Sequence, residues 1–468
     1  MGRSDDLVTT DGMFFQSNTL GTTYGTVYER LIDYDDQLNP KPMLAQSWQF
    51  SPDATQLQFN LRPGVKWHDG RDFTSADVKW SLERIADPKV AGGQWQRFSK
   101  WFTAIDAPDD HTVVLHLDAP RPTALDLFDQ LNMVNQAAIA ATNAASTAVG
   151  TGPFTLAEWR QGDSLIFNKN PGYWQTGRPL LDTVEIDITH DATALVVRLE
   201  AGGLDAISDP PLSDLARLNS DPNYTVVLTQ PGYYSLGVNT QPPGTTPMLQ
   251  DKRVRQALNL AIDRQHFCQA VLLGLSEPWN LPWPTYSEAY EPTKQSVTAF
   301  DLDRARSLLQ QAGLTDAQVE IIYRSTDAEL AKWVQIYQAD LAKIGVTATL
   351  KPLEAAAFTA ATSTRQYQLQ ANTSAAAQYH PCTVFYFDAG IGRYFGGVEQ
   401  ATVDAVSSEL DANKRRQLYS QMNDFVLDQS LDMVLGQTQR ALIFPKHVHD
   451  LTRAVNQVTG FTDAYFSG

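Results

Sequence analysis

The residues of this chain best suited to chemistry are ones that recognise a molecule. From residue 378 the sequence runs Gln378-Tyr379-His380-Pro381-Cys382, followed by Phe385, Tyr386 and Asp388. Amide, phenol and imidazole groups beside a proline, on irregular backbone, are the set that holds a polar solute by hydrogen bonds and ring stacking. Gln16, Asn18 and Thr22 offer similar groups, and serve equally as turn-formers. Trp95 and Trp101, and Trp279 and Trp283 in the Pro-rich loop Pro278–Pro284, suit core packing as well as ligand stacking. His380 is a candidate metal ligand, although a lone histidine is more often a hydrogen-bonded loop residue. His447-x-His449 has strand spacing and reads as surface.

Covalent chemistry finds no such foothold. There is no G-x-S-x-G elbow, H-E-x-x-H helix or phosphate-binding loop. A carboxylate pair for sugar hydrolysis could hide among 53 acidic residues, because such a pair is defined by separation in space, and nothing in the sequence selects one. Cys268 and Cys382 are the only cysteines, so neither a zinc cage nor a disulfide framework is signalled, and Cys268 fits an apolar helix pattern. No cofactor is implied.

At 468 residues the chain can bury a large core and has the length of about three domains. A net charge of −17 opposes phosphate backbones and anionic membrane surfaces, which argues against a nucleic-acid partner. No apolar run is long enough to cross a bilayer. The chain opens Met1-Gly2-Arg3-Ser4-Asp5-Asp6 without an apolar signal core. Either an export signal has been removed or the protein is cytoplasmic.

The elements that must position these groups are clearest between Leu44 and Ile85. Leu57, Phe59 and Leu61 alternate with polar residues after the turn Ser51-Pro52-Asp53, the pattern of a half-buried strand. His68-Asp69-Gly70 makes a further turn, with His68 in a structural place. Thr74 and Asp77 form a capping box for a helix whose Val78, Leu82 and Ile85 share one stripe. As a string, this stretch resembles the signature of the family 5 extracellular solute-binding proteins, the large binding proteins of ABC importers for peptides, nickel complexes and other solutes. In that family "LA-x-SW" leads through "LR-x-GVKFHDG" to "FTAEDV-x-x-S". Here the corresponding residues are Leu44 to Trp48, Leu61 to Gly70 and Phe73 to Ser81.

The resemblance runs on from Val27 to about Ile443. Val27-Tyr28-Glu29-Arg30-Leu31 looks like the family's "VYE-x-L" helix. Gly150-Thr151-Gly152-Pro153-Phe154, Asn170-Pro171-Gly172-Tyr173-Trp174 and Leu181 to Asp205 resemble its "GTGP[YF]", "NP-x-YW" and "LD…ATAL…LEAG…D" blocks. Pro153 and the strand after it deny Gly150-x-Gly152 the helix N-terminus that a phosphate needs. Asp251 to Arg264 resembles "DVRVRQALN-x-AIDR", with Arg253, Arg255 and Arg264 expected as solvated or paired charges. Phe300 to Leu314 and Leu410 to Val426 match later family helices. The family's opening strand and "LDP" turn have no recognisable counterpart in the first twenty residues.

The resemblance implies an α/β fold like that of the type II periplasmic binding proteins, with two large lobes around a hinge and an additional inserted subdomain of the cluster C kind. Residues 1–32, 150–235 and 440–468 would form lobe I, 33–149 the inserted subdomain, and 236–439 lobe II. The hinge crossings fall near Gly232–Asn239 and Gln437–Phe444, which brings Tyr234 and Asn239 among the expected ligand contacts. With them stand Gln16, Asn18, Thr22, Trp95, Trp283, Gln378, Tyr379, His380 and Tyr386. The implied function is that of a monomeric, periplasmic or extracytoplasmic substrate-binding protein of an ABC importer, not an enzyme. It would capture a small polar organic solute by hinge closure and deliver it to a membrane permease.

Peptide-binding relatives carry "ADY-x-DP" where residues 378–388 stand, and its Asp pairs with the peptide α-amino group. Aligned on the tyrosine, this chain has Gln378 there; aligned on the proline, it has Ala377. No carboxylate lies between Tyr367 and Phe387, so a free peptide ammonium would be desolvated unpaired, at a cost of ~3 kcal/mol. An ordinary oligopeptide is therefore disfavoured. The alternative is a metal chelate, as nickel-binding members hold with a histidine in this region, or a short or modified peptide held by other groups.

Overall fold

The alternation at residues 56–61 becomes one strand of a sheet in the computed structural model, which describes residues 1–7, 9–13, 25–87, 96–140, 148–375, 380–381, 383 and 400–467. Leu57, Phe59 and Leu61 are buried while Gln56 and Gln58 face solvent, as a half-covered antiparallel sheet requires. The turn before it is closed by Asp53, whose Oδ1 accepts from the Ser51 hydroxyl at 2.6 Å and the Thr55 hydroxyl at 2.8 Å. The following helix begins where expected. The Thr74 backbone N–H donates to the Asp77 carboxylate at 2.8 Å, and Val78, Leu82 and Ile85 are buried.

The chain forms two compact units. Unit 1 comprises Met1–Thr229, Ser407–Leu410 and Arg440–Gly468; unit 2 comprises Gln230–Val406 and Asp411–Gln439. In chain order unit 1 contains β1 (Gly2–Arg3), β2 (Ala45–Phe50), β3 (Gln56–Leu61), α1 (Ser75–Arg84), β4 (Phe102–Asp109), β5 (Thr112–Leu117), α2 (Leu125–Gln130), β6 (Phe154–Arg160), β7 (Ser164–Lys169), β8 (Thr183–Ile188), α3 (Ala192–Glu200), β9 (Ile207–Ser208) and β10 (Tyr224–Thr229). Unit 2 contributes β11 (Gly232–Val238), α4 (Lys252–Leu260), β12 (Ala317–Arg324), α5 (Ala328–Lys343), β13 (Val346–Leu353), β14 (Leu369–Ala375), α6 (Ala412–Gln429) and β15 (Asp432–Gln437), after which β16 (Arg440–Pro445) returns to unit 1.

Unit 1 has a seven-stranded sheet in the order β10-β16-β9-β1-β8-β7-β6, and a four-stranded antiparallel sheet β2-β3-β5-β4 built wholly within residues 33–149. The opening strand that sequence comparison did not find is present as β1, only two residues long, parallel to both β8 and β9. Unit 2 is organised on the five-stranded sheet β13-β12-β14-β11-β15, in which β12 runs parallel to β13 and β14. Residues 232–235 belong to this sheet because β11 pairs along its whole length with β14. The first division between the units falls at Thr229–Gln230.

The motifs of unit 1 meet in one bonded knot. The Gly152 N–H donates to the Val27 carbonyl at 2.9 Å, and the His68 N–H to the Gly150 carbonyl at 2.8 Å. Gly150 N–H donates in turn to His68 Nδ1 at 3.3 Å, so the ring proton sits on Nε2 and reaches the Gly152 carbonyl at 3.0 Å. Burial pushes the imidazole pKa down, which keeps this histidine neutral and structural. Glu29 closes the knot: its carboxylate accepts from Thr151 Oγ1 at 2.9 Å, Tyr173 OH at 2.8 Å and Trp174 Nε1 at 3.0 Å. The Arg62 guanidinium lies over the Trp174 ring, 4.1 Å from its centre.

Asp209, just after β9, anchors the returning chain. Its carboxylate accepts two bonds from Arg453, at 2.9 and 3.0 Å, and one from the Ala441 N–H at 3.1 Å. Burial pushes this carboxyl up, and the charges of Arg453 and Arg440 with these hydrogen bonds outweigh it, holding the pKa below the usual range. Asp209→Asn is expected to cost about 2–3 kcal/mol in urea denaturation at neutral pH. Because the folded pKa is depressed, the wild-type advantage is present above pH ~4 and fades as pH falls through the folded value.

Candidate functional site

At one end of the unit 2 sheet, β11 begins while β14 and β15 finish. Gly232 stands opposite Ala375, Tyr234 opposite Thr373 on one side and Gly436 on the other, and Tyr233 opposite Gln437. The chain first enters unit 2 at Gln230 and last leaves it at Gln439, with a further excursion into unit 1 at Ser407–Leu410. The first entry and the last exit, and the strand that precedes residues 376–390, therefore belong to this end.

Its backbone is irregular. A bulge between Tyr234 and Ser235 leaves Leu435 out of the ladder with β11, and the Leu435 carbonyl accepts from the Trp279 N–H at 3.2 Å. Gly436 sits tightly at the bulge, since a Cβ there would stand 3.2 Å from Cys268 Sγ and 3.4 Å from both the Phe267 ring and Ser276 Oγ, and these side chains would have to give by a few tenths of an ångström. Tyr234 is nearly buried with its ring edge-on to Phe267. Ser235 Oγ and Gln439 Oε1 are buried without a hydrogen-bond partner among the described residues. These two polar atoms were not singled out in the sequence, where a serine in an apolar strand and a glutamine in a loop carry no distinguishing pattern.

Beyond β14, His380 is described and half-buried, and its carbonyl accepts from the Thr383 N–H at 2.9 Å. It lies within electrostatic reach of Glu288, whose carboxylate is gripped by the Arg415 guanidinium of α6 through two bonds of 2.7 Å. Burial pushes the Glu288 carboxyl up, and the Arg415 hydrogen bonds with the charges of Arg415, His380 and Arg416 hold it below its usual range. An imidazole beside a carboxylate resembles half of a metal site. That carboxylate is spent on arginine, and among the described residues no group of three or more His, Cys, Asp and Glu side chains could hold a metal.

Other expected contacts have structural roles. Asn239 is buried at the end of β11, where its Nδ2 donates to the carbonyls of Arg365 at 3.0 Å and Tyr367 at 2.8 Å, and its Oδ1 accepts from the Gln241 N–H at 3.0 Å. Trp283 is 2% exposed and belongs to the core around Tyr233, Tyr419 and Met422, with its Nε1 donating to Asn423 Oδ1 at 2.8 Å. Trp279 joins the same core, and Trp101 packs edge-on against Phe98 in unit 1. Of the two readings the sequence left open, packing describes these tryptophans. Trp283 and Asn239 are accordingly not retained among the ligand contacts. His447 and His449 stack on Phe466 and Tyr465 at the surface. Gln16, Asn18, Thr22, Trp95, Gln378, Tyr379 and Tyr386 lie outside the described residues.

The architecture, α/β with a mixed sheet in each unit, is that of a periplasmic binding protein. The protein AgaA from A. tumefaciens R10, solved with agropinic acid, superposes with a TM-score of 0.83 at 25% identity, covering 100% of this chain and 98% of that one. Residues 39–390 match the family model for bacterial extracellular solute-binding proteins, family 5, middle region, and the chain belongs to that family. The dipeptide-binding protein of Escherichia coli is 29% identical over 383 residues, 74% of this chain and 70% of its own length. Heme-binding protein A of Haemophilus influenzae is 29% identical over 365 residues, and the match covers 70% of this chain but 65% of that relative. No helix among the described residues is long and apolar enough to cross a membrane.

Proposed function

We propose that this chain is the substrate-binding component of an ABC importer, which holds a small polar organic solute between its two units by closing around it and hands it unchanged to a membrane permease. The observation that carries this reading is the family match over residues 39–390. The end of the unit 2 sheet supports it, because the first entry into unit 2, the last exit from it and the strand leading to residues 378–388 share that end. Tyr234, Gln378, Tyr379, His380 and Tyr386, with Gln16, Asn18, Thr22 and Trp95 of unit 1, are the residues to which we assign the solute. No covalent step is involved, so affinity rests on desolvated hydrogen bonds, stacking and closure. The mature protein works as a monomer outside the cytoplasm.

The absence of any carboxylate between Tyr367 and Phe387 disfavours ordinary peptides. A thermal-shift panel of di- to pentapeptides is expected to leave the unfolding midpoint unmoved, whereas a true ligand at a hundred times its dissociation constant adds about 2.7 kcal/mol. Strong, saturable stabilisation by ordinary peptides would overturn this choice of solute. A second reading, a metal chelate, is favoured by one observation: the half-buried residue His380, five positions after the end of β14. In that case His380→Ala would abolish binding of the chelate while leaving the unfolding midpoint of the unliganded protein unchanged.

A further inference from the structure

Glu29 and Asp129 are buried in unit 1 with Arg30 as the buried cation that acts on both, while the other buried arginines among the unit's described residues, Arg3 and Arg453, act with Asp209. Glu29 is 3% exposed and Asp129 1%, and both feel the charge of the buried Arg30, which is 4% exposed. Arg30 already donates to Asp33 at 3.0 Å, and Asp33 acts on Asp129 as a like charge. Around Glu29 stand Thr151, Tyr173 and Trp174 as donors, with Arg62 over the indole of Trp174. Asp463 and Arg62 also act on Tyr173. Around Asp129 stand the Tyr34 N–H at 3.0 Å, Gln130 Nε2 at 2.6 Å and Asn456 Nδ2 at 3.1 and 3.2 Å from its two oxygens. The same Tyr34 donates its hydroxyl to the buried Asp126 of α2 at 2.8 Å. The neutral His68 completes the surroundings of the knot through Gly150 and Gly152.

These bonds tie together segments distant in the chain: residues 29–34, α2, the 151–174 region and the turn at Asn456. A second ionised carboxylate in such an interior, with Arg30 already engaged, costs several kcal/mol of desolvation. We propose that Glu29 and Asp129 form a proton-loaded latch, holding protons in folded unit 1 and releasing them when these segments come apart. Burial pushes Glu29 up to about 7 against its three hydrogen bonds, and pushes Asp129 up likewise against Arg30. Both ordinary values lie near 4, so between pH ~4 and ~7 the folded protein binds more protons than the unfolded one. Stability from the latch is then full below pH ~4, falls as pH rises through that window, and stays at its low plateau above. His68, held neutral, works in the opposite sense near pH 6. The comparison must therefore be between variants. The latch does not depend on which solute the protein carries.

The test is urea unfolding of the full chain at pH 5, 6, 7 and 8 for the wild type, Glu29→Gln, Asp129→Asn and the double variant. One proton released on unfolding raises the unfolding constant tenfold per pH unit. The wild type is expected to show a steeper rise than either single variant, by up to tenfold per unit, and the double variant the flattest curve. Parallel curves for all four proteins would overturn the latch. Should the variants fail to fold, infrared spectra of the wild type decide it: a protonated carboxylic-acid band in D2O at pH 6 that disappears by pH 9 is expected, and its absence at pH 6 refutes the proposal.

Discussion

Gly150→Ala is expected to prevent unit 1 from folding. A Cβ at residue 150 would fall inside the Val27 carbonyl oxygen, 2.6 Å from the Val27 carbonyl carbon and 3.1 Å from Tyr28 Cα. All three atoms are backbone, so no rotamer change relieves the clash. The neighbouring Gly152 is confined by the same Val27 carbonyl, and the Gly150 backbone exchanges two hydrogen bonds with His68. To make room, the segment carrying Glu29 would have to move away from Thr151, Tyr173 and Trp174, stranding a buried carboxylate. We expect a loss of more than about 4 kcal/mol, seen as insoluble protein or a collapse of the unfolding midpoint. Gly172→Ala is the control, because its Cβ would meet only Asn170 Oδ1 at 3.5 Å, an ordinary contact; its cost should stay under about 1 kcal/mol. Equal behaviour of the two variants would refute the packing of the knot.

Arg264→Leu is expected to be the most damaging single change in unit 2. Arg264 is 7% exposed, one of the charges expected to be solvated or paired, and its acceptors are uncharged oxygens. Its Nε donates to the carbonyls of Trp279 at 3.0 Å and Val434 at 2.6 Å, Nη1 to the Thr298 carbonyl at 3.0 Å, and Nη2 to Asn259 Oδ1 at 2.6 Å. One planar group thus joins α4, β15 and two loop segments. Burial lowers its pKa to about 10, so it stays charged at neutral pH. Leucine would leave four oxygens in a dry interior, at about 3–5 kcal/mol in denaturant titration. Arg264→Lys should recover little, since a single ammonium cannot reproduce the fork. A loss below about 1 kcal/mol for Arg264→Leu would contradict this role. Arg255 follows the same rule, donating to the carbonyls of Leu249, Gln250 and Gln429.

These cases mark how far the sequence could be read. Local pattern carried the strand of Leu57, Phe59 and Leu61 and the Thr74–Asp77 cap, because periodicity and capping act within a few residues. The family string carried the fold as a whole. The two-residue strand β1 was missed, since no pattern distinguishes Gly2-Arg3 from a coil; only its place between β8 and β9 makes it a strand. The partners of Glu29 lie more than a hundred residues downstream, so its burial could not be seen in Val27 to Leu31. Trp283 and Asn239 looked like ligand contacts because tryptophan and asparagine suit cores and turns equally well. What separates the roles is a distant acceptor, Asn423 Oδ1 in one case and two local carbonyls in the other. A binding site assembled from facing residues of separate segments leaves the least trace of all, because no local spacing encodes it.

The most direct trial of capture without chemistry is recovery of the cargo. Native mass spectrometry of the protein as purified, followed by denaturation and identification of the released molecule, is expected to find one small polar solute. After rebinding to fresh protein and prolonged incubation, it should come off with its mass and structure unchanged. A released molecule that differs from the one supplied, in amounts exceeding the protein, would contradict it.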